Sequence, residues 1–449
     1  MRADRKNWDL RGTLAATLVM LLMAAAPRSA AMLLLVGVAG AIAWLAFNAT
    51  EELGRWRPST PVLAVLAFAA FAFISVIWSA DRASTLTKVG YLAAITVGCD
   101  FLLTALDRLN PAVRARIFFA NLAALLIAFA YAAFESGSMQ FVAREVYSAF
   151  PRLYRNIEGH VTVVDGIVTL ISETNINRRV GLMTLLIWPT ALMLTGIAAL
   201  RWRRAGWVIL ALLSSIMIWA SGHQSSQLAI IAGVSAFALA LRWPIAARRV
   251  VAIAWVATVL LIVPFCTLAF KARLQEASSL PHSARHRVVI WAYTANEVAK
   301  APVLGIGADA TQSLFKEQIL REGERKQVDG FDFVSNRHAH NGYLQIWYEL
   351  GFVGAALFMI AGLVSLFAIG ALPAAVQPFA VAQFATFAGI IATSYGIWQM
   401  WFQASIALGA VALLATSRLL YARSVSDQQP VEHDRSRPAP PLASGDLVT

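Results

Sequence analysis

Two histidines separated by one residue, His338 and His340, lie in the run Arg337-His338-Ala339-His340-Asn341-Gly342-Tyr343-Leu344-Gln345-Ile346-Trp347-Tyr348-Glu349-Leu350-Gly351-Phe352-Val353-Gly354. An imidazole has its ordinary pKa near neutrality, so it can take the proton of a hydroxyl group without special tuning. The one-residue gap puts both rings on one face of an extended segment but on nearly opposite faces of a helix, so they share a task only if the segment is extended. Asn341 stands where a helix N-cap would stand, or where it could touch substrate. Glu349 falls about two turns into the helix that follows, and its simplest role is an interfacial carboxylate paired with a loop arginine.

Upstream, Ser283-Ala284-Arg285-His286-Arg287-Val288-Val289-Ile290-Trp291 places Arg287 and Trp291 four residues apart, on one helix face. A guanidinium held by an aromatic neighbour suits an oxyanion, because its planar fork matches phosphate oxygens and stays charged. The plainer alternative is an interfacial arginine reaching for lipid phosphate. A metal has little to bind it in this sequence: there is no Asp-x-Asp pair, Asp329 and Asp332 flank Gly330 as a weak signal, and His338-x-His340 lacks a carboxylate set. Fixed cations are the available means of stabilising a leaving anion, and no cofactor is expected.

The elements that must position these groups are membrane helices. Hydrophobic residues make up 59% of the chain, charged residues 14%, and the mean hydropathy is +0.63. Apolar runs of roughly 17 to 25 residues recur, the length that crosses about 30 Å of hydrocarbon as a helix. The runs lack the alternation of a barrel strand. About twelve spans are expected, centred near Val19, Val38, Ala70, Ile95, Leu125, Thr190, Leu212, Gly233, Thr258, Phe358, Ala388 and Ala407. The expected fold class is therefore an all-α membrane protein with a large, partly helical outer loop, its membrane domain covering residues 1–423.

Basic residues fix the expected orientation. Arg2, Arg5, Lys6 and Arg11, then Arg55 and Arg57, Arg108, Arg114 and Arg116, Arg201, Arg203 and Arg204, and Arg242, Arg248 and Arg249 fall at alternate turns, so these turns and both termini are cytoplasmic. Arg28, Arg82 and Lys88 are exceptions on the other face. Topology thus accounts for much of the +12 formal charge, and a nucleic-acid partner is not expected. The first apolar run ends in Ala24-Ala25-Ala26 like a signal-peptide cleavage site, but the span that follows at once favours a retained helical hairpin. Cys99 and Cys266 fall inside spans and give neither a disulfide framework nor a metal spacing. Residues 424–449, polar and proline-rich, read as a disordered cytoplasmic tail.

Two long loops go to the outer face. Residues 135–180 carry balanced charge, and residues 271–340 hold His282, His286, His338 and His340 together with packing residues such as Trp291, Tyr293, Leu304 and Phe315. Asp100, inside the fourth span, is a functional candidate by its position or a partner of nearby Arg108. Gln377, Gln383, Gln399 and Gln403 line a groove or, more simply, link helices.

Taken in order, Arg287-Val288-Val289-Ile290-Trp291, Ala301-Pro302-Val303-Leu304-Gly305-Ile306-Gly307, His338-Ala339-His340-Asn341-Gly342-Tyr343-Leu344-Gln345 and Glu349-Leu350-Gly351-Phe352-Val353-Gly354 resemble the signature of the bacterial O-antigen ligase and polymerase superfamily. The resemblance covers roughly residues 285–354 directly and the layout of spans more loosely. It implies a metal-independent, inverting glycosyltransferase of the multi-span, GT-C-like kind, facing the periplasm from the bacterial inner membrane. The implied donor is a glycan on undecaprenyl diphosphate. The implied acceptor is lipid A-core for a ligase, the favoured reading, or another lipid-linked repeat for a polymerase.

On this resemblance His340 is the catalytic histidine, with His338 a second candidate. Arg287 is the clearest donor-diphosphate residue, Arg285 lies beside it, and Asn341, Trp291 and Glu349 are positioning residues. Relatives often carry a Ser-Arg pair where this chain reads Ser221-Gly222-His223-Gln224-Ser225-Ser226-Gln227, so Arg178 or Arg179 is expected to take over that cation. Gly351 and Gly354 are expected to permit close helix packing. A lipid-linked sugar flippase would share the length and charge, but it has no need of a large ordered loop bearing arginine and histidine.

Overall fold

A computed structural model describes residues 14, 17–23, 25–153, 161–314, 327–328, 331–332 and 338–428, with side chains to residue 420. Its long helices are α1 (Ala30–Asn48), α2 (Thr60–Ile74), α3 (Arg82–Arg108), α4 (Pro111–Gly137), α5 (Glu173–Thr195), α6 (Leu200–Ala220), α7 (Gln224–Arg242), α8 (Pro244–Lys271), α9 (His282–Val298), α10 (Gly342–Ala368), α11 (Gln377–Thr393) and α12 (Met400–Gln428). Among the described residues, nine helices are long and apolar enough to cross a membrane. Three of the about twelve expected spans fall outside that set. α11 is only 17 residues long, and α5, which carries Arg178 and Arg179, is buried along nearly its whole length from Val180 to Leu194. The expected span near Val19 lies partly outside the described residues. α12 continues through Gln428, so the first residues of the expected tail are helical, while 429–449 lie outside the described residues.

Helix starts follow the local sequence. Asp81 caps α3 by accepting the Ser84 N–H at 2.9 Å, Asn110 and Pro111 open α4, and Asn341 caps α10 by accepting the Leu344 N–H at 3.0 Å. Small residues set the tightest approach, between α7 and α11: a Cβ on Gly233 would sit 2.2 Å from Thr386 Oγ1, and one on Gly389 would sit 2.8 Å from the Ala229 Cα. Thr386 also accepts from Trp188 Nε1 at 2.7 Å, tying α5 to this pair. Large apolar side chains such as Leu212, Ile253 and Phe265 face outward, as bilayer-facing positions do. α7, α8, α11 and Tyr343 also line a half-open apolar pocket of about 370 Å³.

Both long loops have structure. Residues 135–180 hold the short helix Phe141–Ala149 and an antiparallel hairpin, β1 (Val161–Val164) with β2 (Ile167–Ile171), whose Val168 and Ile171 pack on Ala143. The larger loop holds α9 and the two-residue pair β3 (Gln327–Val328) and β4 (Phe331–Asp332). Asp329, one of the two weak metal candidates, lies outside the described residues, as does the side chain of Asp332.

Asp100 corrects an expected pairing. It accepts from Trp56 Nε1 at 2.9 Å, while Arg108 pairs with Glu52. Gln377 and Gln403 donate to backbone carbonyls of the turns that precede their own helices, Leu372 at 2.9 Å and Ile397 at 3.1 Å.

Candidate active site

α10 is not one continuous helix. Gly351 has φ 61° and ψ −160°, a left-handed conformation that breaks it. Into the break comes the segment Ala301–Gly307. Phe352 N–H donates to the Pro302 carbonyl at 2.8 Å, Val353 N–H to the Val303 carbonyl at 3.2 Å, and Gly307 N–H to the Glu349 carbonyl at 2.8 Å. A Cβ on Gly351 would lie 2.4 Å from the Val303 carbonyl atoms, and one on Gly305, also left-handed, 2.3 Å from the Glu349 carbonyl carbon. The two glycine-bearing motifs are thus halves of one backbone junction. Gly351 serves that junction rather than side-to-side helix packing.

Glu349 lies under the junction and is fully buried. Its carboxylate accepts from the Asp309 N–H at 3.0 Å, Thr311 Oγ1 at 2.5 Å, Gln345 Nε2 at 3.1 Å and Trp398 Nε1. The expected arginine partner is replaced by neutral donors from the 271–340 loop, from α10 itself and from the α11–α12 turn. Glu349 is an anchor for loops, because a carboxylate with four donors is satisfied in place and a buried one without them would be costly. Asp309 beside it accepts from Ser84 Oγ at 2.5 Å, and burial raises its pKa above the ordinary carboxylate range.

The histidine segment sits against these supports. Trp291 Nε1 donates to the Ala339 carbonyl at 3.0 Å, so α9 staples the segment between the two imidazoles. His340 has φ 51°, an uncommon conformation for a residue with a side chain and one that marks functional sites. The two imidazole centroids are 4.2 Å apart. His340 N–H donates to His338 Nδ1 at 3.2 Å, and His338 Nε2 meets Gln399 Nε2 at 3.1 Å. A neutral imidazole has one acceptor nitrogen, and in His338 that nitrogen is Nδ1, taken by the His340 N–H; Nε2 then carries the proton, so no ring nitrogen is left to accept from a substrate hydroxyl.

His340 is arranged differently. Its Nδ1 is 3.2 Å from the Ser394 carbonyl oxygen. A carbonyl only accepts, so Nδ1 carries the proton and Nε2 presents a lone pair. Burial, then the Arg287 charge, pushes His340 down to about 4, only partly opposed by the Ser394 hydrogen bond. The ring is therefore neutral at physiological pH.

Arg287, on α9, is half-buried. Among the described residues it has neither a carboxylate partner nor a hydrogen bond, and burial lowers its pKa. Arg178, near the start of α5, is likewise half-buried and lacks such a partner among the described residues. Arg285, two residues before Arg287, points about 200° around α9, away from the side Arg287 serves.

Arg179 is removed from the set of candidate cations. It is 3.3 Å from Glu135 Oε2, donates to the Ala25 carbonyl at 3.0 Å, and lies 4.6 Å over the Tyr131 ring. Glu135 in turn accepts the Val142 N–H at 2.8 Å, so the pair locks the base of the 135–180 loop.

Three residues join the site that the sequence reading did not assign. His223, in the turn lacking the arginine, places Nδ1 2.7 Å from Ser226 Oγ and Nε2 3.5 Å from Ser394 Oγ and 3.4 Å from Tyr395 OH. Burial and the Arg287 charge push it, too, down to about 4. Tyr395 donates to the Asn177 carbonyl at 2.5 Å. Ser394-Tyr395-Gly396 was visible only as a short polar break between two apolar stretches, and His223 as the one imidazole in a tight polar turn. Among the described residues, no three His, Cys, Asp or Glu side chains gather as a metal site.

Residues 208–359 match the family model described as O-antigen ligase. Three curated relatives from rickettsiae, each provisionally named a polysaccharide ligase, are also similar. The Rickettsia bellii protein is 34% identical over 129 residues, 27% of this chain and 30% of the relative. The Rickettsia conorii protein is 31% identical over 132 residues, 27% of this chain and 29% of the relative. The Rickettsia typhi protein is 31% identical over 144 residues, 31% of this chain and 33% of the relative. The chain thus spans about a third or less of the length of the curated relatives it matches.

Proposed function

We infer, on the support of the match between residues 208–359 and the O-antigen ligase family model, that the chain is a membrane glycosyltransferase that moves a glycan from undecaprenyl diphosphate onto lipid A-core. The observation that carries this reading is the pairing of His340, neutral with its Nε2 lone pair presented, and Arg287, a half-buried cation without a carboxylate among the described residues. A base for a hydroxyl beside a fixed cation for a leaving anion is what glycosyl transfer from a lipid diphosphate needs.

In this reading the acceptor hydroxyl oxygen attacks the anomeric carbon as Nε2 of His340 takes its proton. The bond from that carbon to the diphosphate oxygen breaks, and the electron pair leaves with undecaprenyl diphosphate. Attack opposite the leaving group inverts the anomeric centre. Arg287, with Arg178 from α5, balances the charge growing on the diphosphate, and Trp291 and Asn341 hold the base-bearing segment. Arg285 faces elsewhere on α9 and serves the approach of the anionic donor. The positive-inside pattern supports placing this end of the bundle at the periplasmic face of the inner membrane, with both termini cytoplasmic.

The test is transfer from an undecaprenyl-diphosphate-linked glycan in proteoliposomes without an ion gradient. Product formed by the native protein and lost in His340→Ala supports the reading, and an unimpaired variant overturns the base assignment. Deleting the gene and resolving the cell's lipopolysaccharide on a gel separates the two superfamily activities. Loss of every capped form marks a ligase, and retention of single-repeat caps marks a polymerase.

A further inference from the structure

Tyr395 occupies a joint between four helices. Its hydroxyl donates to the carbonyl of Asn177, the residue before Arg178, at 2.5 Å. That leaves the oxygen of Tyr395 to accept, and His223 Nε2 stands 3.4 Å away. His223 Nδ1 then accepts from Ser226 Oγ at 2.7 Å. The protons therefore run one way, from Ser226 on α7 through His223 and Tyr395 to the backbone of α5, and each bond polarises the next. A carbonyl at the end of the chain fixes its direction, since it can only accept.

The ring is seated as firmly as the hydroxyl. It packs edge-on against Trp401 at 4.7 Å between centroids, lies near Phe402 at 5.3 Å, and stacks on His223 at 5.8 Å. On the α5 side a Cβ at Gly181 would come within 2.9 Å of Tyr395 Cε2, so the glycine is what lets the ring reach Asn177. Residues 177, 178 and 181 occupy one turn of α5. Tyr395 follows Ser394, whose carbonyl holds His340. Both Arg178 and Arg287 lie within electrostatic reach of Tyr395.

We propose that Tyr395 is a positioning residue that holds the Arg178 turn of α5 in register with the His340 segment, so that the Arg178 guanidinium meets the donor diphosphate at the same time as the base meets the acceptor. The proposal rests on reading Arg178 as a donor cation. Tyr395 itself acts through Arg178 and does not enter the chemistry.

The experiment measures steady-state transfer in proteoliposomes with an undecaprenyl-diphosphate-linked glycan, comparing the native chain, Tyr395→Phe, Arg178→Gln and the double variant. Losing one buried hydrogen bond is worth about a factor of ten, so Tyr395→Phe is expected to raise the donor KM by about tenfold and leave kcat within about threefold. In the Arg178→Gln background the same substitution is expected to add nothing further. Gly181→Ala, which displaces the ring without removing it, is expected to raise the donor KM in the same way and covers the case in which Tyr395→Phe does not fold. Normal donor KM in Tyr395→Phe, with a raised KM in Arg178→Gln, overturns the positioning role alone. An equal Tyr395→Phe effect in both backgrounds also overturns it. Normal donor KM in Arg178→Gln overturns the donor reading of Arg178 and the proposal with it.

Discussion

The Ser394 carbonyl oxygen stands 3.2 Å from His340 Nδ1, and this contact between two turns of the bundle sets which nitrogen of His340 is the base. With the proton held on Nδ1, only Nε2 can accept one. Replacing His340 with Asn, which tolerates the left-handed backbone conformation, keeps the turn and removes the base. General-base catalysis contributes about 10² to 10⁴ in rate, and a single-turnover assay of His340→Asn should lose a factor in that range with the unfolding temperature unchanged. A loss below about tenfold would refute the assignment.

The low basicity of His340 gives a pH signature. Burial and the Arg287 charge move the group from 6.5 to about 4 in the free protein. An ordinary imidazole would be only about 10% neutral one unit below its pKa, whereas His340 remains neutral there. The acid limb of kcat/KM, which reports the free enzyme, is therefore expected near pH 4. The acid limb of kcat should lie higher, because a bound diphosphate cancels the Arg287 repulsion and favours the imidazolium. Coincident limbs near 6.5 would count against the buried site.

The same shifts bear on stability. His223 and His340 both have depressed folded-state values, so the unfolded chain binds more protons between about pH 4 and 6.5. Their contribution is fully present above the unfolded value and declines as pH falls through that window. Thermal unfolding in detergent from pH 7 to pH 4 should show it, with a smaller decline in His223→Gln. An equal decline in both proteins would remove His223 from the account.

Two arginines separate by what they touch. Arg179 pairs with buried Glu135, and breaking a buried pair costs about 3 to 5 kcal/mol, so Arg179→Gln should reduce the yield of folded protein. The double variant Glu135→Gln/Arg179→Gln should recover part of it. Arg287→Lys keeps the charge but loses the fork, and it should cost most of the activity while the protein stays folded. A raised donor KM in folded Arg179→Gln would reassign that residue to the diphosphate.

Glu349 and Gly351 hold the site without entering the reaction. Glu349→Ala strands four buried donors and is expected to destabilise the protein by about 3 kcal/mol, read as a lower unfolding temperature. Gly351→Ala combines a strained φ with a Cβ 2.4 Å from the Val303 carbonyl, and it should not yield folded protein. Recovery of either variant at native stability would show that the junction is dispensable.

By itself, the sequence determined the helical membrane character, the basic turns, the Asn341 cap and the face shared by Arg287 and Trp291. These are properties of neighbouring residues: run length, charge and helical spacing act within a few turns and need no knowledge of distant segments. Only the tertiary structure decided that Ala301–Gly307 enters the break at Gly351, that Arg179 belongs to Glu135, that Glu349 holds loops rather than an arginine, and that His223, Ser394 and Tyr395 stand beside His340. Each of those relations joins residues dozens to hundreds of positions apart, and packing sets them. The turn without its expected arginine shows the difference. The family resemblance registered only the missing cation, whereas helix packing brings His223 of that turn against Tyr395 and, through it, against the turn of α5 that carries Arg178.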